Sequence, residues 1–351
     1  MNGVGGSRRS VEYTADGVWR LHHGVIRRFI DTEPDYTALC REVAYILTKR
    51  TEAVLAHPAT VLWRSKSLNS FLEKIRRKQY LDPLSDIKDR AGVRVVCDYD
   101  SDCEDVAEII TSEFQVIESQ DRTSELGVDK FGYSARHYLV HLGPQSVGAR
   151  YDDLRPLPCE IQVRTVLQDA WAVLQHHLFY KDEGRTPSEL LRGANSLAAL
   201  LENADRQFEQ LRRQRDEYVE QLRESRADRE RFLLNELTLE SFVQYLQWKF
   251  PGRPVQQSDG QARRVLADLD RNRFRLLSDI DNAIERNAVE IAKVSRAVDP
   301  VDLTDSGPRP SVYDAVWAAA LEDPGMLSGT GLPSHWREAL KKARMEATGL
   351  S

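Results

Sequence analysis

The chain has 351 residues, of which 30% are charged and 41% hydrophobic, and a formal net charge of −6. That length holds two domains, or one domain with a large extension. The acidic balance argues against a general nucleic-acid coat protein while leaving room for a local basic groove, and no apolar run approaches a membrane span.

The opening MNGVGGSRRS is polar and Gly-rich, lacks the apolar core of a secretion signal and reads as a disordered tail. PDYTALCREVAYILTKRTEAVLAH (34–57) has helical apolar spacing and ends before Pro58. SLNSFLEKIRRKQY (67–80) reads as a second helix with Ser67 at its N-cap. AGVRVVCDY (91–99) is rich in β-branched residues and reads as a buried strand. DCEDVAEIITSEF (102–114) is helical, FQVIES (114–119), RHYLVHL (136–142) and CEIQVR (159–164) are strands, and a helix follows. This order of elements predicts an α+β fold, a mixed sheet with helices packed on it.

After Pro187 the texture changes. Residues 188–237 contain no Pro and one early Gly, and predict one or two long, highly charged helices that could pair with a second copy. Amphipathic helices follow, and residues 299–311 read as a loop. The expected organisation is a tail and lead-in over 1–34, an α+β domain with long C-terminal helices over 35–235, and a helical extension over 236–351 with a regulatory role. The four cysteines, Cys40, Cys97, Cys103 and Cys159, form no C-x-x-C pair and lack His at zinc-site spacing. They read as reduced, mostly buried thiols of a cytoplasmic protein.

Four short stretches could carry chemistry. In RSKSLNSFLEK (64–74), Arg64 and Lys66 precede a helix on which Ser70 and Lys74 share a face. Converging cations and free helix N–H groups suit a polyphosphate; a solvated basic helix gives the same pattern. In DIKDRAGVRVV (86–96), Asp89 stands at the entrance to a buried strand and Arg94 lies inside it. Such an Asp can hold Mg²⁺ beside phosphate oxygens, or it is a turn residue paired with Arg94. In DKFGYSARHY (129–138), Tyr133 offers a ring for base stacking, or it packs in an ordinary hairpin. In CEIQVRT, Glu160, Gln162 and Arg164 alternate onto one strand face. Glu160 could be a metal ligand or base, and Gln162 and Arg164 could read a base edge or grip phosphate; a polar solvated face would look alike. His176 and His177, on the following helix, read as structural.

Taken together and in this order, R-x-K-x-x-x-S-x-x-x-K, D-x-A-G-x-R, G-Y-x-x-x-H and E-I-Q-V-R-T followed by WA…H…YK, the motifs resemble the synthetase domain of the RelA/SpoT family over about residues 35–215. That resemblance implies a nucleotidyltransferase-like synthetase fold with a mixed sheet of about five strands. It implies an enzyme that moves the β,γ-pyrophosphate of ATP to the 3′-hydroxyl of GDP or GTP with Mg²⁺. By the same resemblance Arg64, Lys66, Ser70, Lys74 and Arg94 would bind ATP. Asp89 and Glu160 would be the catalytic, metal-holding carboxylates. Tyr133, His137, Gln162 and Arg164 would face the acceptor. The loop at 129–137 departs from the family pattern, with Phe131 where Asn is usual and Ser134-Ala135 where Arg-Ser is usual. These departures bear on the acceptor side. No His-Asp dipeptide occurs, so the hydrolase activity of bifunctional members is not expected. Two other readings compete: a toxin-like relative that modifies the 3′ end of tRNA, restrained by the extension, and a non-catalytic nucleotide sensor.

Overall fold

The computed structural model describes residues 15–78, 80–121, 135–178, 187–256, 260–271, 273–302, 309–323 and 333–348. The described chain forms two compact units that divide between Leu211 and Arg212. Among the described residues no helix is long and apolar enough to cross a membrane.

The first unit opens with α1 (Ala15–Val54). It begins well upstream of Pro34, where the sequence reading started it, so residues assigned to a lead-in are helical from Ala15. Ile26 and Phe29 give those added turns a buried face. Pro34 sits inside the helix, where it removes one backbone hydrogen bond. Side chains on both sides of it are tied together: Thr37 Oγ1 donates to Glu33 Oε1 at 2.7 Å, and Ser65 Oγ donates to the same oxygen at 3.0 Å.

Next come β1 (Thr60–Ser65), α2 (Leu68–Lys78), α3 (Pro83–Asp86), β2 (Ala91–Cys97), α4 (Asp100–Glu113), β3 (Phe114–Asp121), β4 (Arg136–Leu142), β5 (Cys159–Thr165) and α5 (Val166–Leu178). The five strands form one mixed sheet in the order β1-β2-β5-β4-β3. β2 and β5 run parallel, and the other pairs are antiparallel. β1 is the strand that the sequence did not reveal. TVLWRS has a largely exposed edge pattern without clean alternation, so periodicity gave no signal.

β2 and β5 alternate strictly between buried and half-buried positions. Val93, Val95, Ile161 and Val163 pack against Leu39, Val43 and Leu47 of α1 and Val106 and Ile110 of α4. Helices on this face leave the opposite face free for polar groups. All four cysteines are free thiols and buried.

The helix α6 (Ser188–Ser225) carries the division between the units within its length. The sequence placed that division near 235. The difference arises because the last turns of α6 already serve the second core, through buried Leu222. The second unit continues with α7 (Arg229–Leu233), α8 (Leu239–Lys249), α9 (Gln261–Arg271), α10 (Leu277–Arg286), α11 (Ala288–Asp302), α12 (Val312–Glu322) and α13 (Ser334–Thr348). α12 is apolar on nearly all sides and forms the centre of this unit, with Trp317 fully buried and edge-on to Trp336 at 5.2 Å. Two carboxylates are buried here, Asp281 and Asp314. Asp314 of α12 is met by Arg253 Nη2 at 2.6 Å and Arg309 Nη2 at 3.1 Å. Asp281 lies between α7, α8 and α10. It accepts hydrogen bonds from Tyr245 Oη at 2.9 Å, Arg229 Nη2 at 2.8 Å and Lys249 Nζ at 2.8 Å, which meets the requirement for burying an ion.

Gly143, just after β4, leaves no room for a side chain. A Cβ there would lie 2.0 Å from the backbone oxygen of Glu113. Because the obstacle is backbone at the α4–β3 junction, Gly143→Ala is expected to destabilise the first unit by about 1–3 kcal/mol, read as a lowered urea midpoint with unchanged slope.

Candidate active site

The parallel pairing of β2 with β5 sets Gly92 opposite Glu160, Arg94 opposite Gln162 and Val96 opposite Arg164. On the flanks, Arg64 of β1 is opposite Gly92, and His137 of β4 is opposite Gln162. One sheet face therefore carries Arg64, Arg94, Glu160, Gln162, Arg164 and His137. The alternation in CEIQVRT faces a cleft of about 440 Å³ lined by Arg64, Lys66, Ser70, Asp89, Arg94, Glu160 and Gln162, among others.

Local structure places the remaining groups. Ser67 caps α2, accepting the backbone N–H of Ser70 at 3.3 Å, and so turns Ser70 toward the cleft. The backbone N–H of Lys66 bonds to the carbonyl of Arg90 at 2.9 Å, which sets Lys66 beside Asp89. Lys74 reaches Asp89 from one turn further along α2. Asp89 is thereby gripped from both sides, by Lys66 Nζ at 2.7 Å and Lys74 Nζ at 2.9 Å. Arg90 itself is buried against α1, its guanidinium 3.9 Å from the Tyr36 ring centroid.

A second, smaller cavity of about 180 Å³ adjoins the same carboxylates. Lys74, Asp89 and Glu160 line it together with His137, Lys88, Glu118 and Gln120. Asp89 and Glu160 thus border both spaces. The cations Arg64, Lys66 and Arg94 belong to the large one, and His137 belongs to the small one.

Glu160 is held by a chain of contacts along β5. His137 Nδ1 lies 3.1 Å from Glu160 Oε1, Gln162 Nε2 donates to Glu160 Oε2 at 3.1 Å, and Arg164 Nη2 donates to Gln162 Oε1 at 2.8 Å. Burial pushes the Asp89 carboxyl up, but the hydrogen bonds and charges of Lys66 and Lys74 outweigh it and hold the group below its ordinary value. Glu160 behaves alike. Burial and the charge of Asp89 raise it, and His137 and Gln162 bring it below the ordinary glutamate value. Both groups are ionised at neutral pH.

The structure thus brings together Arg64, Lys66, Ser70, Lys74, Asp89, Arg94, His137, Glu160, Gln162 and Arg164. Tyr133 lies outside the described residues, as does residue 79 of the second predicted helix. Arg94 does not pair with Asp89. Its Nη1 lies 3.0 Å from Asp169 Oδ1 of α5. Asp169, Lys88 and Gln120 were missed in the sequence. A signal for Asp169 existed in T-x-x-Q: Thr165 Oγ1 accepts the N–H of Gln168 at 3.1 Å and Gln168 Oε1 accepts the N–H of Thr165 at 3.0 Å. That capping box starts α5 directly after the strand and puts an acid in its first turn.

Residues 63–185 match the domain described as the region found in RelA / SpoT proteins. Over 148 residues the chain is 32% identical to the GTP pyrophosphokinase YjbM of Bacillus subtilis strain 168, an alignment spanning 40% of this chain and 67% of that protein. The chain belongs to the RelA/SpoT family. It is also 28% identical over 133 residues to GTP pyrophosphokinase YwaC of the same bacterium, covering 36% of this chain and 60% of that protein. Among solved structures it is similar to the small alarmone synthetase 1 of Bacillus subtilis, at a TM-score of 0.46 and 24% identity, covering 54% of this chain and 98% of that one. All the placed site residues of this RelA/SpoT-family chain, from Arg64 to Arg164, fall inside the matched region.

The lowered carboxyls make a pH prediction. Each group's folded value lies below its unfolded one, near 4. The stabilisation they supply is therefore complete above that unfolded value and lost as pH falls through the lower folded values. Carbon-13 titration of Asp89 and Glu160 should give midpoints below those of reference peptides; a midpoint above reference for either one would contradict the ion-pair assignment.

Proposed function

We propose that this protein is a Mg²⁺-dependent pyrophosphokinase that transfers the β,γ-pyrophosphate of ATP to the 3′-hydroxyl of GDP or GTP. The observation that carries this reading is the pair of ionised carboxylates, Asp89 and Glu160, bordering both a cation-lined cleft and a second cavity. The names of YjbM and YwaC support it. The larger cleft suits the polyanionic donor, because Arg64, Lys66 and Arg94 supply charge for phosphate oxygens. The smaller cavity, beside His137, suits the acceptor hydroxyl.

Phosphoryl-type transfer depends on positioning and neutralisation more than on covalent help from the protein. The 3′-oxygen bonds to the β-phosphorus, the bond from that phosphorus to the oxygen bridging it to the α-phosphorus breaks and AMP leaves, and the hydroxyl proton passes to water. The carboxylates suit Mg²⁺, which binds through one or two carboxylates and completes its shell with phosphate oxygens and water. Among the described residues no cluster of three or more His, Cys, Asp or Glu could form a metal cage, which agrees with a metal shared with the nucleotide. Bound there, Mg²⁺ would neutralise charge on the transferring group. Lys66 and Lys74, which neutralise Asp89, are placed to exchange that partner for phosphate. Glu160, with its lowered pKa, is a poor proton store at neutral pH. It is better suited to hold the ion and orient the hydroxyl, with His137 and Gln162 each fixing one of its oxygens.

The test is a transfer assay with purified protein, Mg²⁺ and γ-labelled ATP, offered GDP, GTP or deacylated tRNA in parallel. Label in a guanosine tetra- or pentaphosphate is expected; label on tRNA alone would overturn the acceptor assignment. Asp89→Asn should reduce transfer on the order of 100-fold or more, while Mg²⁺-free binding of an ATP analogue is not weakened, because the change only removes negative charge from beside the cations. Full activity in that variant would refute the metal role. Tyr133→Ala should raise the acceptor KM by about 5-fold or more, the scale of one lost base–aromatic stack, with the ATP KM unchanged.

A further inference from the structure

Asp169 carries no role in the scheme above, and its position is unusual. It lies in the first turn of α5, two residues before buried Trp171. Residues two apart on a helix point to nearly opposite sides. Trp171 packs toward Ala194 and Ala198 of α6, and Asp169 faces the sheet.

There it meets two guanidinium groups at once. Arg94 Nη1 of β2 lies 3.0 Å from Asp169 Oδ1, and Arg164 Nη1 of β5 lies 3.6 Å from the same oxygen. All three side chains are largely withdrawn from water, with 29%, 12% and 21% of Arg94, Arg164 and Asp169 exposed. Asp169 Oδ1 is closed to solvent and receives no aligned hydrogen bond among the described residues. The two cationic charges compensate it. The acid is not needed to cap α5, because the Thr165–Gln168 box already does so. Arg94 and Arg164 are neighbours on the parallel β2–β5 ladder, offset by one pair on the same face. Without an acid between them, two like charges in this poorly solvated place would repel and turn apart.

We propose that Asp169 is a positioning residue that holds the Arg94 guanidinium in the donor cleft and, through Arg164 and Gln162, steadies Glu160. This rests on the pyrophosphokinase reading for what the cleft binds, but the contacts with Arg94 and Arg164 stand independently of it.

The experiment measures binding of a non-hydrolysable ATP analogue by calorimetry, alongside the transfer assay, for the full chain. Asp169→Asn keeps the shape and removes the charge. It should weaken analogue binding by about tenfold, the scale of one charge-assisted contact. Asp169→Glu should recover part of that loss. In an Arg94→Ala background, Asp169→Asn should add less than about twofold, because the residue it positions is gone. A merely structural role would give independent, multiplying losses and no recovery by Glu. The proposal is overturned by unchanged analogue binding in Asp169→Asn, by multiplying effects with Arg94→Ala, or, should the Asn variant not fold, by wild-type analogue affinity in a folded Asp169→Ala. Wild-type protein that binds the analogue but transfers nothing would sink the functional reading and leave the coupling between Asp169 and Arg94 to be judged on the binding data.

Discussion

The site depends on the parallel pairing of β2 with β5. A parallel ladder keeps equivalent side chains abreast, so Gly92, Arg94 and Val96 lie beside Glu160, Gln162 and Arg164. These two segments are more than sixty residues apart in the chain. A slip of one residue in either strand would turn its polar set into the helix-covered core and its valines into the cleft. Such a slip is strongly opposed, because Val93, Val95, Ile161 and Val163 are buried under α1 and α4. Core packing on one face thus enforces the chemistry on the other.

Charge balance is the second organising feature. Asp89 and Glu160 are close enough that the charge of one raises the pKa of the other. Two neighbouring carboxylates in a half-buried cleft would ordinarily take up protons. Lys66 and Lys74 on one of them, with His137 and Gln162 on the other, reverse that tendency. Lys66 also lines the large cleft, and Lys74 the small one. On the pyrophosphokinase reading, these ion pairs are ones that a nucleotide and its metal would replace charge for charge. The basic helix face at Lys66–Lys74, which by spacing alone could be a solvated surface, is half committed to holding an acid.

The second unit is built on different physics. Its core is helix on helix around α12, and its buried Asp281 is met by two cations and a phenol. The half-buried Asp89 and Glu160 border cavities, whereas Asp281 joins α7, α8 and α10 within a packed interior.

Several features were legible from residue order alone. The alternation in AGVRVVC and CEIQVRT gave two strands and the face of each side chain, since a period of two leaves no choice of side. Ser67, Pro58 and the uninterrupted run after 187 gave helix limits through local backbone chemistry. The resemblance to RelA/SpoT proteins was readable because the charged residues keep their spacing. Other features required the folded chain. TVLWRS has an edge strand's irregular pattern, and only its pairing with β2 made it part of the sheet. The upstream turns of α1 needed Phe29 to find Phe71 at 4.2 Å, a contact between segments about forty residues apart. Arg94 had an obvious local partner in Asp89, yet Lys66 and Lys74 took that acid and Asp169 took the arginine. Sequence determined which residues form β2, β5 and α2, because period and capping are local. Tertiary structure decided which charges meet, because pairing across a sheet depends on register and on how a helix crosses it, and neither is encoded within a single segment.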